Sequence, residues 1–115
     1  MLLAHDAGEW AHHFLEQLQF GAAKTLAAAE AKYTLAEIQY RKREYKTSQK
    51  TCFDLINNMP SYDYWVAKSF ILLSDNYVAL KDNLQAKSTL LSIIDNYDGK
   101  DEIVATAKEK LEKIK

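Results

Sequence analysis

The stretch Ala67-Lys68-Ser69-Phe70-Ile71-Leu72-Leu73-Ser74-Asp75-Asn76-Tyr77-Val78 decides how the rest of the chain is read. It belongs to a predicted helix from about Tyr62 to Leu80 whose apolar residues (Trp65, Val66, Phe70, Ile71, Leu72, Leu73, Tyr77, Val78) point nearly all round. A helix of that kind is covered on more than one side, so it is expected to be central. Sliding the sequence on itself by 38 residues, 98 less 60, finds a second copy of the pattern without a gap. Ala29 falls on Ala67, Tyr33 on Ile71, Leu35 on Leu73, Ala36 on Ser74, Tyr40 on Val78 and Glu44 on Asp82. Further on, Ser48 falls on Ala86, Thr51 on Thr89, Cys52 on Leu90, Leu55 on Ile93, Ile56 on Ile94 and Asn58 on Asn96. Each copy is thus two helices joined by a short turn. The small pairs Ala36/Ser74 and Ser48/Ala86 mark where antiparallel helices can approach closely.

Outward from this core the same periodicity continues. Thr25 caps a predicted helix running to about Lys42, with Leu26, Ala29, Tyr33, Ala36 and Tyr40 on one face. A helix from roughly Glu44 to Asn58 follows and stops at Pro60 and Ser61, since proline lacks an N–H and restricts the residue before it. The next copy's second helix runs from about Asp82 to Asn96 and ends at Asp98-Gly99. A last amphipathic helix places Ile103, Val104, Ala107, Leu111 and Ile114 on one side, with Lys108, Glu109, Lys110, Glu112 and Lys113 read as its solvated face. At the other end Gly8 and Gly21 bracket a helix with Trp10, Phe14, Leu15 and Leu18 at helical spacing. Three Gly and one Pro in 115 residues are too few for the tight turns of an all-β domain, so the class is all-α.

The second copy carries Phe70, Leu73-Ser74, Tyr77, Asp82, Ala86, Leu90 and Ile93, and the first carries Leu35-Ala36, Glu44-Tyr45, Ser48, Cys52, Leu55 and Pro60. In this the chain resembles the tetratricopeptide repeat family, whose helix-turn-helix unit of about 34 residues stacks into an array. Lys32 and Gln39 stand where that family usually has large rings, and Arg43 and Lys81 replace its turn glycine. The entry Trp65-Val66-Ala67-Lys68-Ser69-Phe70 and the exit Leu91-Ser92-Ile93-Ile94-Asp95-Asn96-Tyr97 are similar to terminal repeats of large bacterial envelope-associated members. The resemblance implies an α-solenoid of antiparallel helix hairpins. Residues 1–23 would be a partial preceding repeat, 24–60 and 61–99 two tetratricopeptide-like repeats, and 100–115 a C-terminal capping helix, all within one domain.

The resemblance also implies a site. First helices of such repeats line a concave groove, which here would present Tyr33, Glu37, Tyr40 and Arg41 from one copy and Ile71, Asp75 and Val78 from the other, with Glu30, Lys68 and Ala79 beside them. Aromatic and aliphatic anchors ringed by charge suit a peptide or helix of a protein partner. The expected function is non-catalytic protein binding, as a scaffold or adaptor. The alternative is structural: packing or self-assembly, against upstream repeats or a second copy, at the C-terminal end of a longer array. The Lys and Asn clamp by which some members hold a chaperone's terminal carboxylate is not expected, because Glu37 and Asp75 would repel one.

Other chemistries find little support. His5, His12 and His13 with Glu9 and Glu16 are one helical turn apart in pairs, but lack the zinc-protease spacing, so no metal, no other cofactor and no catalytic set is expected. Cys52 occupies the slot filled by Leu90 in the other copy and is read as packing. The basic run Arg41-Lys42-Arg43 with Lys46 and Lys50 is read as a solvated corner at a helix C-terminus. Fifteen basic against sixteen acidic side chains give a net charge of -1, without the cationic excess that nucleic acid requires. The opening residues lack a basic start and an apolar run, and the longest apolar run is Phe70 to Leu73, so no membrane insertion is expected. The expected compartment is the cytoplasm if Met1 is the natural start, and the cell envelope if the chain is the end of a longer protein.

Overall fold

The computed structural model describes residues 25–115; the helix expected between Gly8 and Gly21 lies outside them. Five helices follow one another: α1 (Leu26–Arg41), α2 (Tyr45–Asn58), α3 (Asp63–Ala79), α4 (Asn83–Asn96) and α5 (Ile103–Lys113). No strand occurs among the described residues, and the class is all-α. Thr25 caps α1 as expected, its Oγ1 accepting the Ala28 N–H at 3.1 Å, and the Asp82 carboxylate accepts the Gln85 N–H at the start of α4.

The two turns between paired helices are built alike. At the end of α1 the Arg43 N–H donates to the Tyr40 carbonyl and the Glu44 N–H to the Gln39 carbonyl; at the end of α3 Lys81 and Asp82 do the same to Val78 and Tyr77. This pair of bonds is the Schellman closure of a helix, and it drives the residue after the cap into the left-handed region. Arg43 sits there at φ 65° and Lys81 at φ 67°, the two positions where the sequence departs from glycine. The turns thus carry the 38-residue offset in their backbone, 81 less 43. A side chain in this region costs roughly 1 kcal/mol. Arg43→Gly and Lys81→Gly are therefore each expected to raise the urea midpoint, together by nearly twice the single effect. Neutral or lower midpoints would mean that the unfolded chain's extra freedom outweighs the strain.

Packing follows the order of the chain, each helix lying against the next, while α3 also touches α1 and α5. It is the central helix its composition demands. One core cluster joins Ala36, Cys52, Leu72 and Leu73 beneath Tyr33, Tyr40, Phe70 and Tyr77; another joins Ala67, Ile71, Leu90, Ile93, Ile103 and Ala107. The small residues Ala36, Ser48, Ser74 and Ala86 are all buried. Close approach lets the Ser48 hydroxyl on α2 donate to the Ala36 carbonyl on α1 at 2.8 Å. Asn76 of α3, fully buried, donates its amide to Ser48 Oγ at 2.9 Å and to the Leu72 carbonyl at 3.1 Å, which ties the first helix pair to the second.

The two positions lacking large rings are filled by other means. Gln39 accepts a hydrogen bond from the Thr51 hydroxyl at 2.6 Å. Lys32 is buried between α1 and α2, with its Nζ 4.0 Å from an Asp54 oxygen. Burial lowers its ammonium pKa, and Asp54 opposes that shift only in part. Cys52 has no exposed surface, and burial pushes its thiol up to about 12, which leaves it protonated and inert at neutral pH.

Candidate functional site

Helices α1, α3 and α5 lie side by side and leave an open cavity of about 260 Å³ between their C-terminal halves. Tyr40 of α1 forms one wall, Asp75, Val78 and Ala79 of α3 the floor, and Lys110 and Ile114, at the end of α5, the other wall. Three of the residues expected to face a groove, Tyr40, Asp75 and Val78, are therefore brought together. Val78 is 40% exposed. The Tyr40 ring packs against Tyr45, with centroids 5.6 Å apart. Its hydroxyl pKa is raised, first by burial and then by the nearby Asp75 charge.

Asp75 is the electrostatic centre of this groove. Lys110 Nζ donates to both its carboxylate oxygens, at 3.0 and 3.2 Å. Burial raises the Asp75 pKa and Lys110 draws it back. The lysine comes from the face of the last helix that reads as solvated, so the sequence expectation for it is corrected: Lys110 turns inward because α3 presents a half-buried carboxylate. Lys113 also borders the cavity while staying exposed. The repulsion expected of Asp75 toward an anion is thus compensated within the chain.

Ile71 requires a larger correction. It is 8% exposed and belongs to the core cluster with Ile103 and Ala107 of α5, so it is not available to a partner. The reason is geometric: α5 crosses the half of α3 that carries Ile71 and leaves uncovered the half that carries Val78. Glu37 and Arg41 form an exposed pair one helical turn apart, at 3.6 Å, and neither lines the cavity. Arg41, Lys42 and Arg43 are exposed at the corner, as the sequence suggests.

Tyr33 lies midway along α1, in an aromatic group that the sequence reading does not single out. Its ring is 5.6 Å from Trp65, and Lys68 Nζ sits over Tyr33, Trp65 and Tyr64 at 4.9, 5.5 and 5.7 Å from their centroids. The Tyr64 hydroxyl donates to Glu102 at 2.6 Å, and that bond, with burial, pushes its pKa up to about 12. The spacing of Tyr64, Trp65 and Lys68 at one helical turn was the available signal. Burial, and then the charges of Glu37 and Asp75, raise the Tyr33 hydroxyl.

Among the described residues no three His, Cys, Asp or Glu side chains are grouped to hold a metal ion, and the His5, His12 and His13 cluster lies outside them. No described helix is long and apolar enough to cross a membrane. Compared with protein-family models, with curated proteins and with solved structures, the chain returns no match.

Proposed function

We propose that the chain is a non-catalytic protein-binding module, a short tetratricopeptide-like array of two helix pairs and a capping helix, holding a peptide or helix of a partner protein against α1, α3 and α5. The observation that carries this reading is the open groove in which an exposed Val78 and the Tyr40 ring adjoin a compensated Asp75–Lys110 pair. Apolar anchors beside oriented polar groups are the surface a peptide needs. The paired turns and the contacts of α3 with both α1 and α5 support the repeat reading.

The test compares wild type with Val78→Glu, using a photo-crosslinking amino acid at Tyr45 to trap a partner from lysate. Val78→Glu is expected to cut trapped partner at least about tenfold with a melting temperature within about 2 °C of wild type. Equal trapping by both proteins would sink the groove reading. The structural alternative is favoured by the exposed Leu26 and Ile38 on α1 and Leu84 and Leu91 on α4. A molar mass that rises with concentration in light scattering, with no heterologous partner trapped, would put self-assembly first.

A further inference from the structure

Helix α1 has an open face that the internal repeat brings out. At the 38-residue shift, 76 less 38, Ala31, Thr34, Leu35 and Ile38 of α1 correspond to Ser69, Leu72, Leu73 and Asn76 of α3. On α3 all four are buried; Leu72 and Leu73 cluster with Cys52 of α2, and Asn76 donates to Ser48 of the same helix. On α1 the counterparts Ala31, Thr34 and Ile38 are exposed and Leu35 is half-buried, with Ile38 at 47% where Asn76 is at 0%. Among the described residues, nothing does for this face of α1 what α2 does for α3. None of the four residues lines the groove between α1, α3 and α5.

The sequence before α1 carries the pattern of the helix that would fit there. Shifted by 37 residues, 45 less 8 and 58 less 21, the bounds of α2 at Tyr45 and Asn58 fall on Gly8 and Gly21. The buried residues of α2, Ser48, Thr51, Cys52 and Leu55, then fall on Ala11, Phe14, Leu15 and Leu18, small or apolar in every slot. Four residues, 59–62, connect α2 to α3, and four, 22–25, separate Gly21 from α1. Both sides of the contact change together. The hydrogen-bonded pair Ser48 and Asn76 is replaced by Ala11 and Ile38, and Cys52 against Leu73 by Leu15 against Leu35. A buried asparagine needs a polar partner and an isoleucine needs none, so each face matches the sequence that would meet it.

We propose that residues 8–21 of this chain cover the face of α1 formed by Ala31, Thr34, Leu35 and Ile38, with Ala11 against Ile38 and Leu15 against Leu35, and so keep that face from a second copy. The proposal uses the repeat register and not the groove, so either can fail without the other. The full chain is methyl-labelled at Ala, Leu and Ile for NMR, and NOEs are recorded in labelled protein and, isotope-filtered, in an equimolar mixture of labelled and unlabelled chains. NOEs from Ala11 to Ile38 and from Leu15 to Leu35 are expected within one chain and not between chains. Ile38→Gln is expected to lower the melting temperature by about 5 °C or more, against about 2 °C or less for a side chain that stays in solvent. The same NOEs appearing only between chains would overturn the proposal in favour of a second copy. No contact between residues 8–21 and α1, or an Ile38→Gln variant that melts like wild type, would overturn it outright.

Discussion

Glutamate in place of Ile71 is expected to unfold the chain or to lower its melting temperature by about 15 °C or more. Ile71 is enclosed by Ala67, Leu90, Ile93, Ile103 and Ala107, none of which offers a side-chain donor. Losing the aliphatic contact costs about 2–4 kcal/mol, and burying a carboxylate without a partner adds to that. In a domain of this size each kcal/mol moves the melting temperature by about 4–8 °C. Circular dichroism melts of Ile71→Glu and Val78→Glu make the contrast sharp, because the two residues lie seven apart on one face of α3. Ile71→Glu melting like wild type would mean that α5 does not cover α3.

The second large effect is expected at Asn76. Its amide nitrogen donates to Ser48 and to the Leu72 carbonyl, and its Oδ1, fully buried, accepts nothing. Asn76→Asp removes both donated bonds and puts a charge where no donor waits, at a cost of about 3 kcal/mol at pH 7. The sign of the pH dependence follows from burial. A carboxyl raised above its unfolded pKa of about 3.9 favours the folded state below that pH and loses this contribution as pH rises through the folded pKa. Urea midpoints of Asn76→Asp relative to wild type should therefore recover toward pH 4 and fall toward neutrality. A deficit independent of pH would assign the loss to the missing hydrogen bonds alone.

What was legible in the sequence is what short-range chemistry decides. Thr25 before an apolar-periodic run, Pro60 after one, and the paired small residues Ala36, Ser48, Ser74 and Ala86 are local signals, and the helices start and stop within a residue or two of them. The missing turn glycines at 43 and 81 were also visible, and there the backbone is left-handed regardless. That Tyr40, Asp75 and Val78 line one cavity was legible in part for the same reason, since Asp75 and Val78 share a face by helical spacing. The rest depended on where α5 lands. Periodicity puts Ile71 and Val78 on one face without distinguishing them, and it gives no hint that Lys110 meets a carboxylate 35 residues earlier. Lys32 reads as a departure from pattern because a buried lysine is intelligible only beside Asp54, which another helix supplies.

The pairing of Lys110 with Asp75 couples the charge of the cavity to the position of the last helix. The same helix seals Ile71 with Ile103 and Ala107 and neutralises Asp75 with Lys110. Any opening that lifts α5 must therefore bare an aliphatic surface and release a carboxylate in a single event. The polarity of the groove has no existence apart from the seating of the last helix, and its charge is a direct readout of whether that helix is docked.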